Sequence, residues 1–374
     1  MTNKLLVVND TYYPKVDGVL IFVEEFIKRA QNDFEITLLV PDYSRKKKFK
    51  KVKTVFLELS KRFSAFTYQP IKYSRSNRKN IKKAVKDSSV VFIQVFGPIG
   101  VLAFRYARKM KKKIVVYVHN TPWEFLEKHY SLRKITAKLT KKYFISMYNK
   151  ADILLVPFHE FIGELRKAGI KNKMEVARLG VDIDRFSPAK DKLQMKKKLK
   201  IPLKKIITYV GRVSNEKNTL LLLDAFQKLK GEVHLLIVGD GQPELVKQFR
   251  EQNDCTVTGF VSNVEDYLKA SDIFVMPSLT ETTSLATLEA MSTGLPVLAT
   301  KVGFVKKYII KDHNGSFFPR NSSAHLALKI EKLLQNPELA QKYGNNARKT
   351  VAYAFSWERS INKIKRILRR FDQN

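Results

Sequence analysis

Two glutamates eight residues apart, Glu281 and Glu289, are the side chains best placed to do chemistry in this sequence. An apolar segment at 273–276 runs into a polar loop with Glu281, and this loop opens a predicted helix with Glu289. The start of a helix attracts an anion, because its first backbone N–H groups have no partner within the helix. The two carboxylates can bind hydroxyl groups on either side of that anion. A phosphate between two hydroxylated groups is the pattern of a nucleotide-sugar.

This region resembles the E-x7-E region of retaining glycosyltransferases with the GT-B fold, family 4 in particular, which includes lipid and diacylglycerol glycosyltransferases and phosphatidylinositol mannosyltransferases. The resemblance implies that Glu281 binds hydroxyls of the donor sugar and is catalytic, whereas Glu289 binds the ribose. The loop amides would cradle phosphate or sugar, which adds four donor-binding residues: Thr282, Thr283, Ser284 and Leu285. The family often has E-x-F-G here, so the identity of the sugar stays open. Two solvated helix carboxylates are the alternative.

A second motif follows the predicted strand 206–210 and reads Gly-Arg-Val-Ser-Asn-Glu-Lys-Asn over 211–218. It resembles the G-R-x-x-x-x-K-G element of the same family. The resemblance implies that Arg212 and Lys217 are catalytic cations that neutralise the donor diphosphate, both bound and leaving. Asn218 replaces the usual glycine, and asparagine tolerates a left-handed backbone. Two ordinary surface cations are the alternative.

A shorter loop, Gly-Phe-Val-Ser-Asn at 259–263, lies between a predicted strand and a predicted helix. The family places the nucleotide base against this loop. The resemblance therefore implies that the backbone of Val261 contacts the base, although a plain turn has the same pattern.

The loop after the first predicted strand reads Asp-Thr-Tyr-Tyr-Pro-Lys-Val-Asp-Gly-Val over 10–19. It resembles the Y-P-x-x-D-G-V loop of family members that glycosylate lipids and related acceptors. A glycine lets the backbone approach a ligand closely, so Gly18 is expected to contact the donor phosphate. Asp17 and Tyr12 are expected on the acceptor side. An ordinary strand-to-helix loop is the alternative.

A histidine ends another predicted strand, in Val-Tyr-Val-His-Asn-Thr-Pro-Trp over 116–123. Open α/β sheets bind ligands at the carboxyl ends of their strands. The segment resembles the family's strand-H-x-x-P element, which implies that His119 is catalytic and contacts the donor sugar from the opposing domain. Trp123 either lines the acceptor site or belongs to the core.

Two acidic residues, Asp182 and Asp184, form a D-x-D pattern that binds metal in a different glycosyltransferase fold. Here the pattern lies in Gly-Val-Asp-Ile-Asp-Arg-Phe-Ser-Pro, over 180–188, which resembles the G-V-D-x-x-x-F-x-P hinge of family 4. We therefore expect no metal and no cofactor, since the nucleotide-sugar is a co-substrate.

The chain is strongly basic, with 70 Lys and Arg against 35 Asp and Glu. Residues 1–200 hold 45 basic and 18 acidic residues, whereas residues 201–374 hold 25 and 17. The positive electrostatic field of so many basic residues attracts nucleic acid or anionic lipid. No nucleic-acid-binding module is visible, so we expect an anionic membrane surface and a lipid acceptor as partners, and no nucleic acid. Basic residues cluster at 45–51, at 108–113 and in a predicted helix at 132–149 that could lie in the headgroup plane. A solvated basic surface is the alternative.

Alternating apolar and amphipathic segments predict an α/β fold with two doubly wound Rossmann-like domains. We expect the first domain at 1–187, a lysine-rich linker at 188–202 and the second domain at 203–354. The resemblance implies the GT-B arrangement, in which the domains face a cleft and the tail helix 355–374 packs on the first. Strands are predicted at 5–8, 35–40, 90–95, 114–118, 153–156, 206–210, 234–238, 256–258, 273–276 and 297–299, with first-half helices at 19–30, 98–110, 132–149 and 159–168.

The sequence also indicates the compartment. No stretch approaches the roughly 18 apolar residues of a transmembrane helix, and the apolar run near the start is too short for a signal peptide. The single cysteine, Cys255, is consistent with a reducing cytoplasm. We expect a cytoplasmic protein that is peripheral on the inner face of the cell membrane.

These features together predict a retaining, metal-independent hexosyltransferase that acts on a membrane lipid or lipid-linked acceptor. A UDP-sugar donor is favoured over GDP-mannose. Transfer to a soluble sugar or glycan is the alternative among enzymes, and a non-enzymatic nucleic-acid-binding protein is the alternative from another class. The sequence indicates neither the linkage nor an oligomeric state.

Overall fold

The computed structural model describes residues 3–43, 49–61, 69–123, 134–229 and 233–371. The chain folds into two compact units: unit 1 consists of Met1–Arg178 together with Glu358–Asn374, and unit 2 of Leu179–Trp357. Part of the predicted basic surface, at 45–48 and at 132–133, lies outside the described residues. No described helix is both long enough and apolar enough to cross a membrane.

Unit 1 is built on one parallel sheet, in the order β3-β2-β1-β4-β5-β6-β7. Its strands are β1 (Asn3–Val8), β2 (Phe34–Pro41), β3 (Val52–Leu57), β4 (Val90–Ile93), β5 (Lys113–Tyr117), β6 (Ile153–Val156) and β7 (Met174–Val176). Its helices are α1 (Gly18–Ala30), α2 (Arg75–Lys86), α3 (Pro98–Lys109), α4 (Lys134–Asn149) and α5 (His159–Lys167), joined by α14 (Trp357–Arg370) from the end of the chain. Strands β4 and β6 are buried along their whole length, as their continuous apolar sequences require.

Unit 2 has a parallel sheet in the order β10-β9-β8-β11-β12-β13. Its strands are β8 (Lys205–Val210), β9 (Val233–Val238), β10 (Cys255–Val257), β11 (Ile273–Met276), β12 (Val297–Thr300) and β13 (Ser316–Phe318). Its helices are α6 (Lys192–Leu199), α7 (Thr219–Phe226), α8 (Pro243–Arg250), α9 (Val264–Ala270), α10 (Leu285–Ser292), α11 (Val305–Tyr308), α12 (Ser323–Gln335) and α13 (Pro337–Ala354).

The two sheets share one plan. In each, the chain starts in the middle, builds out to one edge through two more strands, and then returns to the other side of the first strand. This is the Rossmann order, and it confirms the predicted α/β fold with two doubly wound domains.

Elements at the margins of the two sheets were not predicted from the sequence. Strand β3 is only partly buried, and β7 and β13 have three residues each, so none gives a strong apolar run. Helix α2 was missed because it exposes its many cations and buries only Asn77, Ile81, Ala84 and Val85. Edge elements need less burial than central ones, and their hydrophobic signal is correspondingly weak.

The segment 188–202, predicted to be a linker, contains helix α6 and belongs to unit 2. Lys196 donates from Nζ to Asp272 Oδ2 at 2.9 Å and to the carbonyl oxygen of Lys204 at 2.6 Å. The same Asp272 accepts from Lys192 Nζ at 3.0 Å. Two lysines of the predicted linker therefore attach this helix to unit 2.

Helix α14 belongs to unit 1 although it follows unit 2 in the chain. Its buried side chains recur at helical spacing: Ile361, Ile364, Ile367 and Leu368. Asp33, just before β2, accepts from Lys365 Nζ at 2.9 Å and also binds the Arg369 guanidinium. The tail is thus held to unit 1 by an apolar stripe and an ion-pair network.

Candidate functional site

The crevice of unit 2 lies where the strand order reverses, between β8 and β11. The loops that follow these two strands, 211–218 and 277–284, emerge side by side at the carboxyl edge of the sheet. The amide of Leu279 donates to the carbonyl oxygen of Glu216 at 3.0 Å and joins the two loops. Open α/β sheets bind their ligands in this crevice.

A half-buried ion pair crosses the crevice. Lys217 Nζ lies 2.6 Å from Glu281 Oε1, and the two side chains are only 18% and 14% exposed. Ser278 Oγ donates to the same oxygen at 2.9 Å. Both contacts use Oε1, so the second carboxylate oxygen stays available for a further donor. The structure therefore brings together two residues that sequence motifs 64 positions apart had placed in one site.

Both helices that start at this crevice begin without a side-chain cap. Their N-cap residues, Asn218 of α7 and Ser284 of α10, have left-handed backbones, and neither side chain accepts from its helix. Ser284 Oγ instead lies 2.7 Å from Thr287 Oγ1. The first amides of α7 and α10 therefore have no side-chain cap, which leaves a positive helix end at each loop.

The loop 281–284 is fixed from behind by the segment that follows β12. The amide of Phe304 donates to Thr282 O at 2.8 Å, and Tyr308 Oη donates to Thr283 O at 2.6 Å. Gly303 has φ +49°, and a Cβ added there would lie 1.8 Å from Glu281 O. The loop carbonyls are thus held toward the protein interior.

Arg212 lies at the outer end of the crevice. Its side chain is 57% exposed, and its guanidinium is 3.9 Å from Glu216. The backbone is held by Tyr209, whose hydroxyl donates to Arg212 O at 2.8 Å. Burial raises the pKa of Tyr209 well above 10.0, with Glu281 nearby adding to the effect, so the phenol remains a donor. The arginine side chain is free to bind an anion that enters from solvent.

Two further residues predicted to bind the donor lie on neighbouring elements of unit 2. Glu289 is half-buried on α10, and Val261 follows β10, where its side chain packs against a buried cluster that includes Leu236 and Val238. These positions do not test contact with a ligand, so the roles of Glu289 and Val261 stay predictions.

His119, just beyond β5 in unit 1, is 7% exposed. Its ring stacks on Tyr117 with centroids 4.2 Å apart, and its Nε2 lies 3.2 Å from Gln94 Oε1. Burial lowers the pKa of His119 from 6.5 to about 3, so the imidazole is neutral at the pH of a cell. A neutral imidazole can share a hydrogen bond with a substrate, but it brings no positive charge.

The residues predicted on the acceptor side are placed differently from one another. Asp17 caps α1, since its Oδ1 accepts from the amide of Leu20 at 2.9 Å, and Gly18 is exposed at the first position of that helix. Tyr12 and Trp123 are 0% and 5% exposed and pack on aromatic neighbours. Contact of these residues with an acceptor stays a prediction.

The D-x-D pattern takes part in a turn. Asp182 Oδ1 accepts from the amide of Arg185 at 3.1 Å, and Arg348 on α13 donates to the carbonyl oxygens of Ile183 and Phe186. Among the residues that the structure describes, no three His, Cys, Asp or Glu side chains are grouped to hold a metal ion. Metal independence stays a prediction.

Sequence reasoning missed the residues that support the site. Ser278 orients Glu281, Tyr308 and Gly303 hold the loop, and Thr300 Oγ1 donates to Ser278 O at 2.5 Å. Ser278 lies within the sequence motif, three residues before Glu281. The other supporting residues lie about 20 residues further along the chain, and only the fold brings them close to the loop.

Replacement of Gly303 by alanine tests how tightly the loop is packed. The added methyl group would meet Glu281 O, and the left-handed backbone disfavours alanine, so we expect a loss of at least about 1–2 kcal/mol in the free energy of unfolding. Urea denaturation followed by circular dichroism measures the change. Gly163→Ala at an exposed position of helix α5 is the matched control, because its Cβ would meet nothing within 4 Å. An equal effect of the two substitutions would contradict this packing.

Burial of His119 predicts an acid-dependent loss of stability. The unfolded chain binds a proton at this histidine below about pH 6.5, whereas the folded chain does so only near pH 3. Between these values the free energy of unfolding therefore falls as pH falls, by up to about 1.4 kcal/mol per pH unit. Urea titrations from pH 6.5 to 4 should show a shallower slope for His119→Gln than for the wild type. Parallel slopes would show that His119 is not buried in the neutral form.

The sequence matches two family profiles that together span most of the chain. "Glycosyltransferase Family 4" matches residues 16–185, and "Glycosyl transferases group 1" matches residues 191–350. The sulfoquinovosyl transferase SQD2 of Arabidopsis thaliana is 31% identical over 230 residues, which cover 59% of this chain and 44% of SQD2. The UDP-Gal:alpha-D-GlcNAc-diphosphoundecaprenol alpha-1,3-galactosyltransferase of Escherichia coli is 29% identical over 207 residues, which cover 52% of this chain and 53% of that protein. The alignments thus span about half the length of these two relatives.

Solved structures share the fold over the full chain. Anabaena Alr3699/HepE in complex with UDP-glucose has a TM-score of 0.80 at 16% identity, with 98% of this chain and 99% of that chain covered. This likeness shows two Rossmann-like domains of the same kind, in agreement with the two strand orders. With both profiles matched in succession along it, the chain belongs to the glycosyltransferases of family 4 and has their GT-B fold.

Proposed function

We propose that this protein transfers a hexose, with retention, from a nucleotide-diphosphate sugar to a membrane lipid or lipid-linked acceptor at the cytoplasmic face of the cell membrane. A UDP-sugar is the favoured donor, with GDP-mannose as the rival. The protein acts as a peripheral membrane enzyme and needs no metal. Unit 2 binds the donor, and unit 1 binds the acceptor.

The observation that carries the donor site is the pair of uncapped helix starts in the unit 2 crevice. The starts of α7 and α10 lie beside two cations, Arg212 and Lys217, and beside one fixed carboxylate, Glu281. Free amides and cations are the partners that a diphosphate requires. A carboxylate with one oxygen already bound is suited to accept hydrogen bonds from sugar hydroxyls through the other.

Relatives support both halves of the proposal. The galactosyltransferase of Escherichia coli is named for a UDP-Gal donor and a diphosphoundecaprenol-linked acceptor, and HepE was solved with UDP-glucose. These names describe those proteins, and the likeness to HepE concerns the fold. They nevertheless favour a UDP-sugar as donor and a lipid-linked molecule as acceptor.

The proposed reaction breaks the bond between the anomeric carbon and the donor phosphate oxygen, which leaves with the electron pair. An acceptor hydroxyl attacks from the same face and gives its proton to the departing diphosphate. Arg212, Lys217 and the amides at the start of α10 stabilise the charge that develops on that leaving group. Glu281 orients the sugar, Glu289 binds the ribose, and the remaining loop residues cradle the phosphate through their backbone. His119, as a neutral imidazole, shares a hydrogen bond with the sugar.

The acceptor side rests on the basic surface of unit 1. Helix α4 exposes Lys138, Leu139, Lys142 and Tyr143 on one face, with Leu139 62% and Tyr143 39% exposed. Helix α2 exposes six more cations: Arg75, Arg78, Lys79, Lys82, Lys83 and Lys86. Cations combined with exposed apolar side chains are typical of a surface that lies at anionic lipid headgroups.

Calorimetric titration with UDP, GDP and their sugar conjugates tests the donor site. We expect one nucleotide to bind, and Glu289→Ala to weaken its binding by about 10- to 100-fold, since a hydrogen bond to a charged group contributes roughly 1.5–3 kcal/mol. Glu338→Ala, at an exposed position of α13, is the control and should leave the affinity unchanged. A folded protein that binds no nucleotide would refute the transferase proposal.

Vesicle sedimentation tests the membrane surface. Wild-type protein should bind phosphatidylglycerol vesicles and not phosphatidylcholine vesicles. Replacing Lys138 and Lys142 by glutamate should weaken binding by at least about 30-fold, since each cation near an anionic membrane contributes roughly 1 kcal/mol.

The control for this experiment changes the charge equally on unit 2, by Lys342→Glu and Lys349→Glu at exposed positions of α13. This control variant should bind anionic vesicles much more strongly than the α4 variant does. Equal effects of the two variants would show a diffuse charge effect rather than a docking face. Absence of binding to anionic vesicles would shift the acceptor to a soluble sugar or glycan.

A further inference from the structure

The crevice of unit 1 corresponds in topology to the donor crevice of unit 2. Strand order reverses between β1 and β4, and the loops that follow these strands lead into α1 and α3. A ligand phosphate would usually lie there, against the first amides of a helix. In unit 1 a side chain of the protein occupies this place.

Asp10, two residues past the end of β1, provides the anion. Its Oδ1 accepts from the amide of Ile99 at 2.7 Å, and its Oδ2 accepts from the amide of Gly100 at 2.9 Å. These are first-turn amides of α3, whose N-cap Gly97 has no side chain to cap the helix. One carboxylate therefore satisfies two of the donors that the start of α3 leaves unpaired.

The turn before α3 is shaped around this carboxylate. A Cβ added at Gly97 would lie 2.5 Å from Asp10 Cγ, and one at Gly100 would lie 2.0 Å from Val95 O and 3.3 Å from Asp10 Oδ2. Burial raises the pKa of Asp10 to about 6, against the lowering effect of the amide hydrogen bonds. A carboxylate is thus held where desolvation disfavours it, in a turn that has no space for other side chains.

The same loop also caps the helix on the other side of the crevice. Thr11 Oγ1 donates to Asp17 Oδ1 at 3.4 Å, and Asp17 in turn accepts from the amide of Leu20 in α1. Asn9 Nδ2 donates to Thr11 O at 2.8 Å and tightens the loop. A continuous chain of contacts therefore runs from the start of α3 through Asp10 and Thr11 to Asp17, directly before Gly18.

We propose that Asp10 is a positioning residue for the transfer reaction: it serves as a built-in anion at the start of α3 and thereby fixes loop 9–17, which presents Asp17 and Gly18. It also keeps exogenous phosphate out of the unit 1 crevice. The proposal rests on the proposed function, since the loop matters for catalysis only if the protein is a transferase. Both oxygens of Asp10 accept from amides of α3, so we assign it an effect through the loop rather than through contact with donor or acceptor.

Asp10→Ala tests the proposal, because it leaves an empty carboxylate site at two helix amides. The probes are sodium formate and sodium acetate, with sodium chloride at equal ionic strength as reference. Formate, the smaller anion, should raise the thermal midpoint of Asp10→Ala and leave that of the wild type unchanged. Asp87→Ala, at an exposed position of unit 1, is the control and should not respond to formate.

The catalytic arm measures hydrolysis of the nucleotide-sugar that calorimetry selects, with water as acceptor. In Asp10→Ala, kcat should fall about 100-fold, as expected for a small misplacement of reacting groups, while KM for the donor stays unchanged. Formate should restore part of kcat. Asp10→Asn should remain impaired and unresponsive, because its amide group fills the site and places a donor against a helix amide.

Each outcome decides one point. An Asp10→Ala variant with wild-type kcat, or one whose midpoint and kcat ignore formate, would overturn the positioning role. A lost kcat together with an increased KM would show a general structural defect and would also overturn it. Failure of the wild type to bind any nucleotide would instead refute the proposed function, and the formate effect on the thermal midpoint would still report on Asp10 as an anion.

Discussion

Every α-helix starts with backbone N–H groups that have no hydrogen-bond acceptor within the helix. The two units of this protein differ in what these groups bind at the crevice. In unit 1, carboxylates of a single loop cap the N-terminal starts of the helices on both sides of the crevice. Asp17 caps α1 and Asp10 caps α3. In unit 2, the corresponding helices begin at Asn218 and Ser284, which provide no side-chain cap. Two sheets with one topology thus differ in whether carboxylates of the protein cap the helix starts at their crevice.

The two units also use charge at different ranges. Most of the excess positive charge belongs to residues 1–200, and the cations of α2 and α4 lie on exposed helix faces, where salt screens charge beyond about 10 Å. Unit 2 has a far smaller excess, and its important charges are individually placed, as in the contact of Lys217 with Glu281. A field spread over a surface suits a partner that is itself a charged surface. A half-buried ion pair that leaves one carboxylate oxygen available suits a small ligand with a fixed arrangement of polar groups.

The sequence predicted the centre of each sheet better than its edges. Buried strands such as β6 and β11 have uninterrupted apolar runs, and their predicted bounds are those of the structure. Edge strands and helix α2 carry too little apolar surface to give such a signal. Lysine content misled the prediction for 188–202, because Lys196 is paired with Asp272 rather than solvated.

The same limit applies to the site. Local motifs identified Lys217 and Glu281, because loops after adjacent strands converge in any Rossmann sheet. The supporting contacts of Gly303 and Tyr308 with the loop join residues more than 20 positions apart, and no local pattern marks them. Asp10 was visible as a residue but not as a cap, since its partners in α3 lie about 90 positions away.

The packing of α14 on unit 1 determines the order in which the two units can complete their folding. Unit 2 is continuous in sequence, whereas unit 1 is completed by residues that follow all of unit 2. During synthesis the sheet of unit 1 emerges first, but the apolar side chains that Ile361, Ile364 and Leu368 cover remain exposed until α14 leaves the ribosome. Unit 2 can fold within that interval. Of these two units, the one whose synthesis begins first is therefore the one that completes its fold second.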